Sequence, residues 1–130
     1  MPNPSWKLIS AGWPLPRQVV TADTVQRLLS PHGNADNIVR RVKVQLDGGL
    51  AIGDGLMLST DEVMGETAQP RWAIPEVIGP SGGTRTAKFE TEFLLHGRRD
   101  LFMLGIGTCA DAYVTVYVET WETPEPVQLV

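Results

Sequence analysis

Residues 112 to 121 read A-Y-V-T-V-Y-V-E-T-W, an alternation of period two that persists through the whole segment. Only an extended strand puts every second side chain on one face, so this segment specifies a β-strand with two unlike sides. Ala112, Val114, Val116 and Val118 form an apolar side that calls for a second sheet packed over it. Tyr113, Thr115, Tyr117, Glu119 and Trp121 form the other, polar but carrying three large aromatic rings. Those rings call for a ligand, a neighbouring subunit, or another part of the same chain.

The same signal recurs. Arg41 to Asp47 alternates with Val42, Val44 and Leu46 inward, and Thr86 to Leu95 alternates with Phe89, Thr91, Phe93 and Leu95 opposite Lys88, Glu90 and Glu92. Shorter strands are expected at Trp6 to Ala11, Leu50 to Ile52, Leu56 to Ser59 and Leu101 to Ile106, with another at Arg71 to Ile78 broken by Pro75. Thirteen glycines and ten prolines supply the turns between them. Strands at this spacing predict an all-β chain, a two-sheet antiparallel β-sandwich that is jelly-roll-like. One accessory helix is expected over Thr21 to Ser30. There Asp23 and Gln26 have capping-box spacing, Val25, Leu28 and Leu29 share a helical face, and Pro31 and Gly33 follow. Ser59 with Glu62 predicts a further helical turn ending at Gly65.

A chain of 130 residues with 42% hydrophobic and 20% charged residues is read as one globular domain, 1–130, able to form its core without metal or disulfide. Residues 1–20, with Pro2, Pro4, Pro14 and Pro16 around Trp6 and Trp13, read as an extended N-terminal arm. Residues 123–130, T-P-E-P-V-Q-L-V, read as a proline-rich C-terminal tail anchored by Val127, Leu129 and Val130. The net charge of −4 and the scattered basic residues argue against nucleic-acid and anionic-membrane partners, which require clustered positive charge. There is no secretory signal pattern and no apolar run of about 20 residues, so the chain reads as soluble.

Residues able to carry chemistry are few and scattered. Cys109, the single cysteine, and His96 supply a thiol and an imidazole, but G-T-C-A-D is the setting of a small buried residue at a strand end. A small hydrolase would need a pocket uniting at least two of His96, Asp100, Cys109 and Asp111. His32 and His96 lie too far apart for a zinc or cupin-type centre, so neither a metal nor a cofactor is expected. Asp47, Asp54 and Asp61 recur every seven residues beside turns, but calcium loops place acids at alternate positions, and Asp before Gly is primarily a turn residue. The string H-G-R-R-D-L at His96 is similar to a kinase catalytic loop in spelling alone, with no glycine-rich phosphate loop to accompany it.

What remains is surface. Tyr113, Tyr117 and Trp121 succeed one another every fourth residue along one strand face, about 13 Å apart. With Trp6 and Trp13 in the arm and Leu129 and Val130 in the tail, they make the expected binding set. The expected function is non-enzymatic: a structural protein forming a homo-oligomer or docking on a larger protein lattice, as a phage capsid decoration, cement or tail component does. The alternative is a carbohydrate-binding module using the three rings as a platform, with Glu119 beside them for hydroxyl groups.

Overall fold

The computed structural model describes residues 5–33, 35–60, 72–74 and 87–129. They are all-β, in two antiparallel sheets, and no helix occurs among them. The strands are β1 (Lys7–Pro14), β2 (Gln18–Val19), β3 (Val25–Leu29), β4 (Ile38–Gly48), β5 (Gly55–Ser59), β6 (Trp72–Ile74), β7 (Ala87–His96), β8 (Leu101–Ile106) and β9 (Ala112–Glu122). The first sheet has the order β1-β9-β4-β7, with β2 continuing the β1 edge along β9, and the second has the order β3-β8-β5-β6. The pairings β2·β9, β3·β8, β4·β7 and β5·β6 are nested like a single long hairpin, with its two arms shared between the sheets.

Alternation explains the core. In the β4–β9 ladder Val42 faces Val118, Val44 faces Val116 and Leu46 faces Val114, all on the inner side. Leu56, Leu58, Leu101, Met103 and Ile74 meet them from the second sheet, and all five are buried. Full burial of one such side chain contributes about 1.5–3 kcal/mol relative to exposure. At the side of the sandwich Trp72 of β6 stacks on Phe93 of β7, with ring centroids 3.8 Å apart and planes 8° from parallel. This contact joins an edge strand of one sheet to an edge strand of the other.

The expected helix over Thr21 to Ser30 is not formed: Val25–Leu29 is a strand. Asp23 lies in the left-handed region at φ 53°, which an N-cap does not adopt. The Gln26 carboxamide bonds backwards, accepting from the Thr21 N–H at 2.9 Å and donating to the Val19 carbonyl at 3.0 Å. A register shift between Arg27 and Leu29 lets Leu28 and Leu29 both be buried. A bulge inserts one residue into a period-two pattern, and the result imitates the i, i+3, i+4 spacing of a helix. Leu50 to Ile52, expected as a strand, instead belongs to the β4–β5 turn, in which Asp54 N–H donates to the Ala51 carbonyl at 3.1 Å. Ser59, expected to cap a helical turn, ends β5, and residues 61–65 of that turn and most of the Arg71 to Ile78 strand lie outside the described residues.

Much of the N-terminal arm is sheet. In β1, Lys7 pairs with Glu122, Leu8 with Trp121 and Trp13 with Val118, with irregularities on both sides of Ser10. Pro14 and Pro16 fall where an edge strand tolerates them, at the end of β1 and just after it. The C-terminal segment is also held, through Thr123 N–H to the Asn37 carbonyl at 2.8 Å and Val127 N–H to the Asp36 carbonyl at 3.2 Å.

Candidate functional site

The outer face of the first sheet carries the aromatic row. Register sets Tyr113 beside Asp47 and Val19, Tyr117 beside Lys43 and Pro14, and Trp121 beside Val39 and Leu8. All three rings are half-buried. The Arg17 guanidinium, from the segment between β1 and β2, lies 3.9 Å from the Tyr113 ring centroid and bonds Asp47 at 2.8 Å. Lys43 Nζ stands 4.5 Å from the Tyr117 centroid, and Trp121 Nε1–H donates to Glu119 at 3.0 Å. A sugar ring stacking on either tyrosine at these faces has to displace a cation already there.

Between β1, β9, β4 and β7 the face sinks into a depression of about 170 Å³ lined by Gly12, Arg41, Lys43, Glu92, Tyr117 and Glu119. Gly12 leaves the room: an added Cβ would stand 3.4 Å from Glu119 Cγ. Arg41 bonds Glu92 and lies 3.7 Å from Glu119. The hydrogen bond that Arg41 donates to Glu92, then the charge of that carboxylate, raise the Arg41 pKa above the ordinary guanidinium value. The charges in the depression are mutually balanced, two cations against two carboxylates.

Of the other expected binding residues, Trp6 is half-buried just before β1, and Trp13 contributes its backbone to β1. Leu129 is half-buried in a separate cavity of about 300 Å³ with Asp36, His96, Arg98 and Arg99. Val130 lies outside the described residues.

The candidate catalytic residues are divided between the two ends of the sandwich. His96 pairs with Val39 at one end of β4, whereas Cys109 precedes β9, whose Ala112 pairs with Gly48 at the other end. Nine residue steps along β4, about 30 Å, separate those rows. Asp100 sits at the His96 end, 3.3 Å from Arg27, and Asp111 at the Cys109 end, accepting from Gly49 N–H at 3.0 Å. Asp54 is buried and accepts from Ala51 N–H at 3.0 Å, Cys109 N–H at 3.1 Å and the Thr108 hydroxyl at 3.4 Å, so it ties the β4–β5 turn to the β8–β9 turn. Asp47 is engaged by Arg17 and by Gln45, at 3.0 Å from the latter, and Asp61 lies outside the described residues. Among the described residues no group of three or more His, Cys, Asp or Glu side chains is placed to hold a metal ion.

Cys109 is buried, its thiol donating to the Ile106 carbonyl at 3.2 Å. Burial first, then the charges of Asp54 and Asp23, push its pKa up, which is the opposite of activation. Thiol-labelling reagent at neutral pH is expected to react about a hundredfold more slowly with native than with denatured protein. Because the folded thiol resists ionisation, its contribution to stability is complete below the ordinary cysteine range of about 8.5 and is lost as pH rises through the folded value. Rapid labelling of native protein would contradict both statements.

Comparison with protein-family models finds none that matches the chain, and comparison with curated proteins finds no significant relative. No helix among the described residues is long and apolar enough to cross a membrane.

Proposed function

We propose that the protein is a non-enzymatic structural protein of jelly-roll topology that assembles through the β1–β2 edge of its larger sheet, with copies of itself or on a larger protein lattice. The strand orders support the topology: with β1 and β2 counted as one interrupted strand, eight strands divide into two four-stranded sheets whose nested pairs are those of a rolled hairpin. Viral shell proteins are among the proteins built this way, and that link to a virion is an analogy of architecture.

One observation carries the assembly reading. Of the exposed large apolar side chains among the described residues, Leu8 (47%), Ile9 (47%), Leu15 (39%) and Val19 (60%) all lie along this edge, and only Ile52 lies elsewhere. Clustered exposed apolar side chains mark interaction surfaces, whereas scattered ones do not. Pro14, Pro16 and the irregular β1 register blunt the edge against open-ended strand addition. Docking through side chains on a blunted edge favours a closed, defined contact over a fibre.

Sedimentation velocity across a wide concentration range tests this. The native chain is expected to form a discrete oligomer, and Leu8→Lys with Val19→Lys to weaken its association at least about tenfold without changing the monomer fold. Equal association of the double variant would remove the edge from the proposal. The second reading, carbohydrate binding, rests on the balanced polar depression around Arg41, Glu92, Glu119 and Tyr117. At about 170 Å³ it is smaller than ordinary ligand pockets and fits one sugar ring at most. Saturation-transfer NMR with simple hexoses separates the readings: binding lost in Glu119→Gln supports the second, and no binding removes it.

A further inference from the structure

The chain leaves β9 at Glu122 and is caught by the turn at Asp36 and Asn37. Besides the backbone bonds from Thr123 and Val127, the Thr123 hydroxyl donates to the Asn37 carbonyl at 3.1 Å, and Asn37 Nδ2–H donates to the Thr123 carbonyl at 3.1 Å. The Asp36 carbonyl that receives Val127 N–H at 3.2 Å also faces His96 Nε2 at 3.1 Å. His96 Nδ1 faces the Arg98 backbone N–H at 3.1 Å, and against a donor it can only accept. These two contacts fix one neutral tautomer, with the proton on Nε2 donated to Asp36. The residue is 8% exposed.

We propose that His96 is a proton-sensitive clasp on the C-terminal segment 123–129. A proton added at Nδ1 turns the acceptor into a donor aimed at the Arg98 N–H, and the two repel. The ring and the turn after β7 then have to separate, and that turn is bonded to the beginning of β4 through Gly97 N–H to the Ile38 carbonyl at 2.8 Å. Releasing the ring from Asp36 loosens the carbonyl that holds Val127.

The surrounding charges act in the same direction. On the turn itself stand Arg98, Arg99 and Asp100, the last engaged by Arg27 at 3.3 Å. From β4 comes Arg40, whose guanidinium bonds the Arg99 carbonyl. From the turn before β4 comes Asp36, whose carboxylate is paired with Arg98. From β9 and beyond come Glu122, opposite Ile38, and Glu125, both exposed. An imidazolium here shares its cavity with Arg98 and Arg99, while the Asp36 carboxylate already has a partner. The cavity of about 300 Å³ beside His96 and Leu129 gives the ring room to move and water a way in.

Amide hydrogen exchange of the full-length chain, followed by NMR at about pH 7.5 and about pH 5.5 and corrected for intrinsic rates, tests the clasp. Protection at Thr123 and Val127 is expected to fall about tenfold or more at the lower pH, while Val44 and Val116 in the central ladder keep theirs. His96→Asn, whose Oδ1 still accepts from Arg98, and His96→Gln are both expected to abolish the pH dependence, and Asp36→Asn to retain it. Equal protection at both pH values in the native chain overturns the proposal. So does a fall that persists in the His96 variants, or one shared in step by Val44 and Val116, which would report global opening.

Discussion

Replacing Gly48 by alanine is expected to cost about 4 kcal/mol, a large part of the stability of a domain this size. Gly48 ends β4 at φ +115°, a region from which a Cβ is excluded at a cost of about 1–3 kcal/mol. The added carbon would also stand 2.3 Å from the Asp111 carbonyl oxygen. That oxygen belongs to backbone leading directly into β9, and its neighbouring carboxylate is bonded to Gly49, so it cannot swing away as a flexible side chain does. Displacing it adds a further cost of about 1–3 kcal/mol. Gly53 separates the two contributions, because at φ +93° an added Cβ meets nothing within 4 Å. Gly53→Ala is therefore expected to lose only the conformational part, about 1–2 kcal/mol. Urea denaturation of both variants measures the difference. Equal losses would mean that the β8–β9 turn yields freely and that the Gly48–Asp111 contact constrains nothing.

That contact also indicates where the sequence is informative. Alternation over β4, β7 and β9 is legible because each strand is buried on one side only, so its period appears directly in residue type. The register of the ladder follows from the same faces, with Val42, Val44 and Leu46 opposite Val118, Val116 and Val114. β3 is not legible, because a bulge at Leu28 and Leu29 changes the period locally, and Asp23 and Gln26 repeat the capping spelling while bonding a loop instead. Single-chain patterns carry no mark for a bulge.

Of the surface, the aromatic row was legible but its cover was not. Arg17 reaches Tyr113 only because β1 and β2 lie end to end along β9, a long-range pairing that local composition does not encode. The grouping of Leu8, Ile9, Leu15 and Val19 has the same origin, since it follows from the path of the arm along the sheet edge. The clasp at His96 depends on Asp36 and Arg98 meeting across a distant turn, and no spacing foretells it.

Arg40 did leave a trace in the sequence. It shares the parity of Val42, Val44 and Leu46, so an unbroken β4 has to turn this charge toward the interior, and it is 4% exposed. There it closes one end of the sandwich. Nη1 donates to the Ser30 carbonyl at 2.8 Å, just beyond β3, and Nη2 donates to the Arg99 carbonyl between β7 and β8. Burial pulls its pKa below the ordinary guanidinium value, and the charge of Asp100 works against that pull. Arg40→Met keeps much of the volume and removes both donors, leaving two carbonyls with no partner from this side chain. Hydrogen bonds from a charged group are worth about 1.5–3 kcal/mol each, and relief from burying the charge offsets part of their loss, so a net cost of about 3 kcal/mol is expected. Arg40→Ala adds an unfilled space and is expected to reach about 5 kcal/mol. Arg40→Lys, with a single shorter-reaching ammonium, should fall between the native chain and Met. Thermal and urea denaturation give the ranking. A methionine variant as stable as the native chain would show that the two carbonyls find other donors, and the end of the sandwich would then be held by the β3–β8 ladder and the packing of Leu28, Leu29 and Leu101 alone.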